Sequence, residues 1–350
     1  MFSFGFEINE EGEAVNLEAA PSASAGDRTN MQPAAVTVDV SLDELLHALP
    51  ARISFSPLKI PTSCGKHTIS IPRRDLFDAR FQIISGGEDD AAEQDATQSG
   101  SQLEFLDAPS DLVRGKYEGG LKTWECAADL IAVLADCPRN DWTSALEVGC
   151  GTAIPSAYVF GRMLSERRSK EASATRVIHV QDYNRLVLEL VTVPNLLLAW
   201  YFSPASDLRD SHLSEGEAGE LDIDDNLINA FQSSLRGHNI ALQFTCGAWE
   251  SWKLPQAFDL VLSSETVYEP TSLSALVRVL RDAGTASSLR LVAAKRVYFG
   301  VGGGLREFEQ AVEQQGGSVS RNWETTSGVA RAIVDVQWSS TISSAPDRAV

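Results

Sequence analysis

The sequence predicts an α/β fold in which a mostly parallel β-sheet is covered by helices on both faces and ends in an antiparallel hairpin. After about residue 120, short apolar runs rich in β-branched residues alternate with longer helical patterns. Such alternation is typical of parallel strands joined by crossover helices. Two more apolar segments near the C-terminus, separated by a polar turn, predict the hairpin.

The predicted elements after residue 120 follow one another with short connections. In chain order they are a helix at 123–135, a strand at 146–148, a helix at 154–168, a strand at 176–181, a helix at 184–201 interrupted near Pro194, a helix at 227–235, strands at 240–245 and 258–263, a helix at 272–283, a strand at 289–294, a helix at 305–315 and hairpin strands at 319–323 and 330–338. In such sheets a ligand binds at the carboxyl ends of the strands, near the reversal of strand order.

Composition shifts divide the chain into three parts. Residues 1–38 are predicted to be a disordered tail, because they are rich in Glu, Ala, Ser, Asn and Pro. Residues 39–110 form an N-terminal extension that contains an acidic linker at 86–101. The main domain covers 111–350 and carries an acidic insertion at 205–225, which is predicted to be a surface loop.

Charge and cysteine usage narrow the function classes. A formal net charge of −19 disfavours direct nucleic-acid binding and leaves open a basic protein partner. The five cysteines show no CxxC or Cys/His cluster, so no metal site is expected. No signal peptide or stretch of about 20 apolar residues is recognised. The chain is therefore expected to be cytoplasmic or nuclear, away from membranes, and a monomer.

The segment 145–153 is a strand, a glycine-rich turn and the start of a helix, which together form a cofactor-binding edge. Gly149 and Gly151 let the backbone turn tightly and approach a ligand. A dinucleotide fingerprint needs a third glycine where Ile154 stands, so an NAD-dependent oxidoreductase is disfavoured. Glu147 precedes the glycines, and its carboxylate suits a cationic amino group better than a pyrophosphate. S-adenosylmethionine, which carries an ammonium and no phosphate, fits this pattern.

Three further positions near strand ends are candidate cofactor contacts, each with a structural alternative. Asp182, after the second strand, is a candidate for binding a ribose diol, or it caps the following helix. Trp249, after the third strand, stacks on adenine or belongs to the core. Trp124, which follows two glycines, lies in a loop over the ligand or is a buried anchor at a helix start.

The fourth and fifth strands lead to candidate substrate contacts. Glu265 and Tyr268 are three residues apart and face one side if a single helical turn follows the strand. A capping box is excluded there because residue 267 is valine. The segment 298–304 contains four glycines and predicts a flexible lid or substrate gate, with a plain connection as the alternative. Lys295 and Arg296 are placed to meet an acidic group on a substrate.

Taken together, these motifs resemble the histidine protein methyltransferase 1 family of seven-strand, S-adenosylmethionine-dependent enzymes. The matching segments are Glu118–Cys126, Leu146–Gly151, Gln181–Asn184, Val191–Asn195, Ser264–Tyr268 and Tyr298–Gly304. The resemblance runs from about residue 111 to about residue 338 and implies a Rossmann-like methyltransferase sheet with an N-terminal extension. It further implies methylation of a protein histidine, with a large-subunit ribosomal protein as the expected target.

The resemblance and the strand-end positions together define the predicted site. The predicted cofactor contacts are Lys122, Thr123, Trp124, Glu125, Cys126, Glu147, Gly149, Cys150, Gly151, Gln181, Asp182, Tyr183, Gly247, Ala248, Trp249 and Ser264. The predicted gate residues are Phe299, Gly300, Gly302, Gly303 and Gly304. Many family members keep glycine where Ala153 stands, and the alanine is tolerated if its backbone angle is helical. Ala248 replaces an acidic residue beside the tryptophan, so an adenine amino contact is absent or comes from the backbone.

The predicted chemistry is methyl transfer to a neutral imidazole, which already has a free lone pair near pH 7. Glu265 or Tyr268, with Asn184 as a weaker candidate, would accept the other ring N–H and fix the tautomer. Two alternatives stay open at this point. One is a protein lysine methyltransferase on the same fold, and the other is a non-catalytic module that retains the pocket.

Overall fold

The structure is a computed structural model that describes residues 36–62, 65, 67–89, 120–139, 141–166, 174–298 and 302–339. Its strands are β1 (Val38–Val40), β2 (Arg52–Pro61), β3 (Thr68–Arg74), β4 (Ser144–Val148), β5 (Arg176–Asp182), β6 (Gly219–Asp222), β7 (Ile240–Cys246), β8 (Phe258–Ser264), β9 (Gly284–Lys295), β10 (Gly317–Thr325) and β11 (Arg331–Trp338). Its α-helices are α1 (Leu42–His47), α2 (Leu76–Asp89), α3 (Glu125–Asp136), α4 (Ile154–Ser165), α5 (Arg185–Val187), α6 (Val193–Tyr201), α7 (Asp225–Gly237), α8 (Leu273–Asp282) and α9 (Leu305–Gln314). A π-helical turn at Leu188–Thr192 and a 3₁₀ turn at Trp249–Ser251 complete the described elements.

The main sheet confirms the predicted fold class. Its described strands run in the order β1-β7-β5-β4-β8-β9-β11-β10. Strands β7, β5, β4, β8 and β9 pair in parallel, and β11 lies antiparallel between β9 and β10. Strands β5 and β7 are added on one side of β4, and β8 and β9 on the other. The strand order therefore reverses between β4 and β8, and the carboxyl ends of these two parallel strands lie at the expected ligand position. The antiparallel edge strand β1, paired with β7, was not predicted.

Helices cover both faces of this sheet. Successive strand residues point to opposite sides, so each face carries apolar side chains that a helix layer buries. Ala145 belongs to the apolar cluster under α3, α4, α6 and α7, whereas Leu146 and Val148 belong to the cluster under α8 and α9. None of the helices in the described ranges is long and apolar enough to cross a membrane.

A second, three-stranded sheet of order β3-β2-β6 joins the N-terminal extension to the insertion. The insertion was predicted to be a surface loop, and this was wrong at its end, where Gly219–Asp222 forms an edge strand beside β2. Gly219 is needed there, since a Cβ would lie 2.9 Å from the ring of Phe55. The surface ion pair of Arg52 with Asp222 also joins the two strands.

Two predicted boundaries in the N-terminal part are also shifted. Residues 36–38 were assigned to the disordered tail, yet Val38 begins β1. The acidic linker was predicted to start at residue 86, whereas α2 continues to Asp89. The remainder of the predicted tail, at 1–35, and of the linker, at 90–101, lies outside the described residues.

The predicted interruption near Pro194 takes the form of the π-helical turn at Leu188–Thr192, directly before α6. Pro194 has no N–H to donate to the carbonyl of Leu190. That carbonyl instead accepts a 2.7 Å hydrogen bond from Arg74 Nη1, which arrives from the end of β3. The backbone N–H of Arg74 donates to Asn195 Oδ1 at 2.8 Å. The second sheet is therefore bonded to the helix that supports the glycine turn.

Candidate functional site

The glycine turn at residues 149–153 follows β4 at the carboxyl edge of the sheet. Gly149 has φ +64° and Gly151 has φ +51°, in the left-handed region that glycine adopts without strain. A Cβ built on Gly149 would lie 2.5 Å from Thr266 Cγ2, so the loop after β8 packs directly against the turn. Ala153 was expected to be accommodated by a helical angle, and this was wrong. It has φ 50° and ψ 31°, in the left-handed region, as the N-cap of α4.

Glu147 lies beneath the turn, at the N-terminus of α4. Its Oε2 accepts a 2.9 Å hydrogen bond from the backbone N–H of Ser156, which stabilises the helix start. Its Oε1 is buried and makes no hydrogen bond to any described residue. Burial raises the pKa of Glu147 to about 7. The carboxylate therefore holds the helix through one oxygen and keeps the other unsatisfied.

Gln181, at the end of β5, ties three backbone segments together and is completely buried. Its Oε1 accepts from the Gly149 N–H at 3.2 Å and from Trp249 Nε1 at 2.7 Å. Its Nε2 donates to the carbonyl of Gly247 at 2.8 Å. One side chain therefore fixes the glycine turn relative to the loop after β7.

Asp182 follows Gln181 and is likewise bonded to the backbone. Its Oδ2 accepts from the Gly151 N–H at 2.9 Å, and its Oδ1 accepts from the Asn184 N–H at 3.0 Å. The second bond is a local turn contact of the kind that the capping alternative described. Each carboxylate oxygen can accept more than one bond, so the ribose-binding prediction stays open. Tyr183 and Asn184 lie half-buried beside it at the start of α5.

The loop after β7 places Trp249 against the turn. The indole lies 3.6 Å from the Cβ position of Gly149, and its N–H is held by Gln181. Gly247 has φ +113°, and a Cβ there would lie 2.6 Å from the carbonyl oxygen of Val36. Ala248 is buried, and its carbonyl accepts from Thr37 Oγ1 at 2.6 Å. The segment just before β1, at Val36 and Thr37, thus supports the loop that carries the half-buried Trp249.

The turn is held from its other side by the π-helical segment. Thr192 Oγ1 donates to the Gly151 carbonyl at 2.7 Å, and Asn195 Nδ2 donates to the Thr152 carbonyl at 2.7 Å. Cys150 is buried beside Thr192, and burial, with the charge of Asp182, raises its pKa, so the thiol stays protonated. On this side, the backbone of the turn is therefore held by the neutral side chains of Thr192 and Asn195.

The segment before α3 covers the turn. The Gly120 carbonyl would lie 3.1 Å from a Cβ on Gly151. Thr123 Oγ1 lies 2.9 Å from Thr152 Oγ1, in hydrogen-bond contact. Trp124 is the N-cap of α3 and half-buried, while Lys122 and Glu125 are exposed. This placement brings the predicted Leu121–Cys126 segment to the turn.

Glu265 lies directly after β8 in a left-handed conformation, with φ +57°. The helical turn assumed after this strand is absent, so the proposed pairing of Glu265 with Tyr268 through such a turn was wrong. Instead Glu265 Oε2 accepts from the hydroxyl of Tyr298 at 2.7 Å. Its Oε1 makes no hydrogen bond to a described residue and forms an ion pair with Lys295 Nζ at 3.5 Å. Glu265 is 6% exposed, so this charge is largely desolvated.

Tyr268 contributes to the same region through its ring. The ring centroids of Tyr268 and Tyr298 are 6.3 Å apart in an edge-on arrangement. Burial, together with the negative charge of Glu265, raises the pKa of Tyr298, so its phenol stays protonated and donates to the carboxylate. The same two causes raise the pKa of Cys126, which keeps this thiol neutral. Ser264 ends β8 and is partly exposed at the same edge.

The gate segment is described in part, since Phe299 and Gly300 lie outside the described residues. Gly303 packs against the backbone after β8, where a Cβ would lie 2.3 Å from the Tyr268 carbonyl oxygen. Gly304 is the N-cap of α9 with an extended φ of 168°, and Gly302 has φ +92° with open space around it. Gly303 thus ties this segment to the β8 loop, and the gating role stays a prediction.

Two residues of this cluster were missed as site residues by sequence reasoning. Tyr298 was recognised as part of a motif and Lys295 as a cation for an acidic group on a substrate, but neither was paired with Glu265 of the chain itself. The signal was the position of Lys295 at the end of β9, next to β8 in the parallel sheet. Among the described residues, no group of three or more His, Cys, Asp or Glu side chains is arranged to hold a metal ion.

Comparison with known proteins adds the family. No family model matches the chain. Histidine protein methyltransferase 1 of Schizosaccharomyces pombe is 34% identical over 349 residues, which cover 95% of this chain and 92% of the relative. The chain belongs to the histidine protein methyltransferase 1 family. The protein of the same name in Saccharomyces cerevisiae is 32% identical over 294 residues, which cover 76% of this chain and 76% of the relative. The predicted family, the methyltransferase class and the S-adenosylmethionine cofactor are confirmed.

The chain is also similar to more distant proteins. The Bos taurus homologue of the family is 31% identical over 65% of this chain and 57% of its own length. A solved structure of magnesium protoporphyrin IX methyltransferase from Synechocystis with bound SAH matches 61% of this chain and 82% of that chain. Its TM-score is 0.38 at 10% identity, too distant to support an argument about individual residues.

The described residues fit the cofactor. The buried Oε1 of Glu147 lacks a hydrogen-bond partner among the described residues, and an ammonium would satisfy it. Gly149 and Gly151 adopt left-handed angles, which lets Thr266 and Gly120 pack against the turn where side chains would otherwise stand. Asp182 is bonded to Gly151 of the turn and Trp249 to Gln181, and their contacts with the ribose and the adenine stay predictions.

Proposed function

We propose that this chain methylates a histidine side chain of a protein, with Glu265 orienting the acceptor ring. The observation that carries the proposal is the state of the Glu265 carboxylate. One oxygen is held by the Tyr298 hydroxyl at 2.7 Å, and the other makes no hydrogen bond to a described residue and faces the Lys295 ammonium at 3.5 Å. A carboxylate fixed in this way can accept an N–H from an incoming imidazole. Family membership supports histidine as the acceptor.

When bound, S-adenosylmethionine supplies an electrophilic methyl group at a sulfonium. Glu147, the glycine turn, Asp182 and Trp249 are the residues that would hold it. The turn and the Glu265 loop are in contact through Gly149 and Thr266, so the donor and acceptor sides of the site adjoin. The protein's main contributions are alignment of the two reactants and exclusion of water.

Glu265 acts on the acceptor in two ways. By accepting the N–H of one ring nitrogen, it selects the tautomer whose other nitrogen has a free lone pair. The ring gains positive charge as its new N–C bond forms, and the desolvated carboxylate stabilises that charge. The phenol of Tyr298 fixes the carboxylate in place through its hydroxyl. Afterwards the methylated ring loses its N–H proton to solvent.

The substrate we propose is a basic protein, specifically a protein of the large ribosomal subunit. The chain has a formal net charge of −19, so a basic partner is attracted over distances of about one Debye length, or ~10 Å at moderate salt. The resemblance of the site motifs to the family supports the ribosomal assignment. We further propose that the chain acts as a monomer.

The experiment is a transfer assay with tritium-labelled S-adenosylmethionine and isolated large-subunit ribosomal proteins. Acid hydrolysis and amino-acid analysis identify the product, and peptide mapping identifies its position. We expect methylhistidine in a single protein. Methyl-lysine as the main product would favour the lysine alternative. Tight cofactor binding by calorimetry with no transfer to any ribosomal protein would overturn the proposed substrate.

A further inference from the structure

The side chain of Lys295 lies in a cage of aromatic and acidic groups beside Glu265. Its Nζ lies 4.4 Å from the ring centroid of Trp124 and 5.8 Å from that of Tyr298, and it forms ion pairs with Glu125 Oε2 at 3.4 Å and with Glu265 Oε1 at 3.5 Å. The side chain of Lys295 is 13% exposed. The ammonium is therefore held by two π faces, by the buried carboxylate of Glu265 and, on its outer side, by the exposed carboxylate of Glu125.

Such a cage is chemically suited to a lysine side chain. Aromatic faces attract a cation through their quadrupole, and this is how proteins recognise alkylated ammonium groups. The two carboxylates add Coulombic attraction, which is stronger where water is excluded. In this chain the cage is filled from within, by the lysine that ends β9. A substrate lysine would have to displace it.

The cage adjoins the cofactor turn on two sides. Trp124 follows Thr123, whose hydroxyl contacts Thr152 of the turn at 2.9 Å. Glu265 precedes Thr266, which packs against Gly149. The Lys295 ammonium is thus on the acceptor side of the site, next to the carboxylate that we assign to the acceptor ring.

We propose that Lys295 determines the acceptor: its ammonium fills the place that a substrate lysine would need, and its charge keeps an incoming imidazole neutral. This inference rests on the proposed transfer to a protein side chain. A neighbouring cation disfavours the protonated form of a histidine and so lowers its pKa. The neutral ring is the nucleophile, whereas a lysine ammonium is repelled by the same charge. One residue therefore favours histidine and excludes lysine.

The first test compares wild type with Lys295→Met, which keeps an unbranched side chain one atom shorter and removes the charge. Large-subunit ribosomal proteins and labelled S-adenosylmethionine are the probes, and the ratio of methyl-lysine to methylhistidine is the readout. We expect this ratio to rise about tenfold or more in Lys295→Met and to stay low in Lys295→Arg. The pH at half-maximal histidine methylation should rise by about one unit, because the imidazole then faces uncompensated carboxylates.

Lys253→Met is the matched control, since Lys253 is exposed and lies outside the cage. It should leave the product ratio and the pH profile unchanged. Calorimetry should give each variant a dissociation constant for S-adenosylmethionine within about threefold of wild type, a small change in binding free energy, which shows that the fold is retained. An unchanged product ratio together with an unchanged pH profile in Lys295→Met would overturn the inference.

A second test needs no protein substrate. Lys295→Ala removes the side chain beyond Cβ, and n-butylammonium chloride, which matches a complete lysine side chain, is titrated against the cofactor-loaded protein. Calorimetry should report saturable binding in Lys295→Ala and none in wild type. If Lys295→Ala binds no butylammonium, the cage is not an ammonium site. If it binds while wild type methylates no ribosomal protein, the cage stands and the proposed substrate fails.

Discussion

The two ends of the proposed site are built from different kinds of contact. At the ends of β4 and β5, Gln181, Asp182 and Asn195 bond to backbone atoms of the glycine turn and of neighbouring loops. At the ends of β8 and β9, Glu265, Lys295 and Tyr298 contact one another through side chains. The contacts at the first end fix the backbone conformation of the glycine turn, and those at the second end pair the charges of Glu265 and Lys295. Substitutions at the first end should therefore change cofactor affinity, and those at the second should change turnover and its pH dependence.

The largest expected effect is the loss of cofactor binding in Gly149→Ala. The new Cβ would lie 2.5 Å from Thr266 Cγ2 at a position with φ +64°, so the turn or the β8 loop must move. We expect the dissociation constant for S-adenosylmethionine to rise by at least about 100-fold, or ~2.7 kcal/mol. Calorimetry measures this directly.

Gly161→Ala is the control for that change. Gly161 lies inside α4, and a Cβ there meets nothing within 4 Å. Alanine should keep cofactor affinity and raise the free energy of unfolding by about 0.5–1 kcal/mol through helix propensity. Equal affinity losses in both variants would mean that the close fit at Gly149 is unimportant.

Glu265→Gln tests the charged end. The amide keeps the size of the carboxylate and removes the charge that stabilises the developing imidazolium. Turnover should fall by about 100-fold, as for loss of a single electrostatic group, while cofactor affinity changes little. Single-turnover kinetics with labelled cofactor separate the two quantities. A parallel loss of affinity and turnover would place Glu265 in cofactor binding instead.

Gln181→Met tests whether the shape of the first end depends on one side chain. Methionine is of similar size but leaves the Gly149 N–H and the Trp249 indole N–H without their acceptor. Leaving buried donors unpaired costs about 1–3 kcal/mol, so cofactor affinity should fall about 10- to 100-fold. Turnover at saturating cofactor should be close to wild type. An unchanged affinity would show that the turn keeps its shape without this residue.

The smallest expected effect is a pH dependence that belongs to Glu147. Its pKa is raised to about 7 from an ordinary 4.5, so the folded chain binds this proton more tightly than the unfolded chain does. The stability that protonated Glu147 gives the free chain is therefore complete below about pH 4.5 and is lost as the pH rises to about 7 and above. A bound ammonium favours the ionised carboxylate, and the affinity for S-adenosylmethionine should therefore rise several-fold between about pH 6 and pH 8. Calorimetry in two buffers measures the released proton. Glu147→Gln should flatten the profile, and a flat profile in wild type would contradict the assignment.

The two ends also differ in how well the sequence predicts them. Residues 145–153 and 181–184 are contiguous motifs at strand ends, and the structure brings both to the same edge of the sheet. The bond between Glu265 and Tyr298 joins residues 33 positions apart on two strands, and periodicity carries no information about such a pair. The left-handed angles at Ala153 and Glu265 were missed because non-glycine residues rarely adopt them.

Elements that depend on long-range pairing were missed for a related reason. Strand β1 has three residues and pairs with β7 about 200 positions further along the chain. Strand β6 has four residues within an acidic segment, and its partner β2 lies in the N-terminal extension. Neither segment is long enough for its own pattern to indicate a strand.

The proline-forced bond between Arg74 and the Leu190 carbonyl has a consequence for dissecting this enzyme. A catalytic fragment cut near residue 110, where the family motifs begin, would lose the guanidinium that satisfies this carbonyl and the N–H that holds Asn195. Asn195 in turn holds the Thr152 carbonyl, so the damage would spread to the glycine turn at residues 149–153, which is the predicted cofactor loop. We therefore expect the minimal active unit to include Arg74, which lies well upstream of the recognisable motifs.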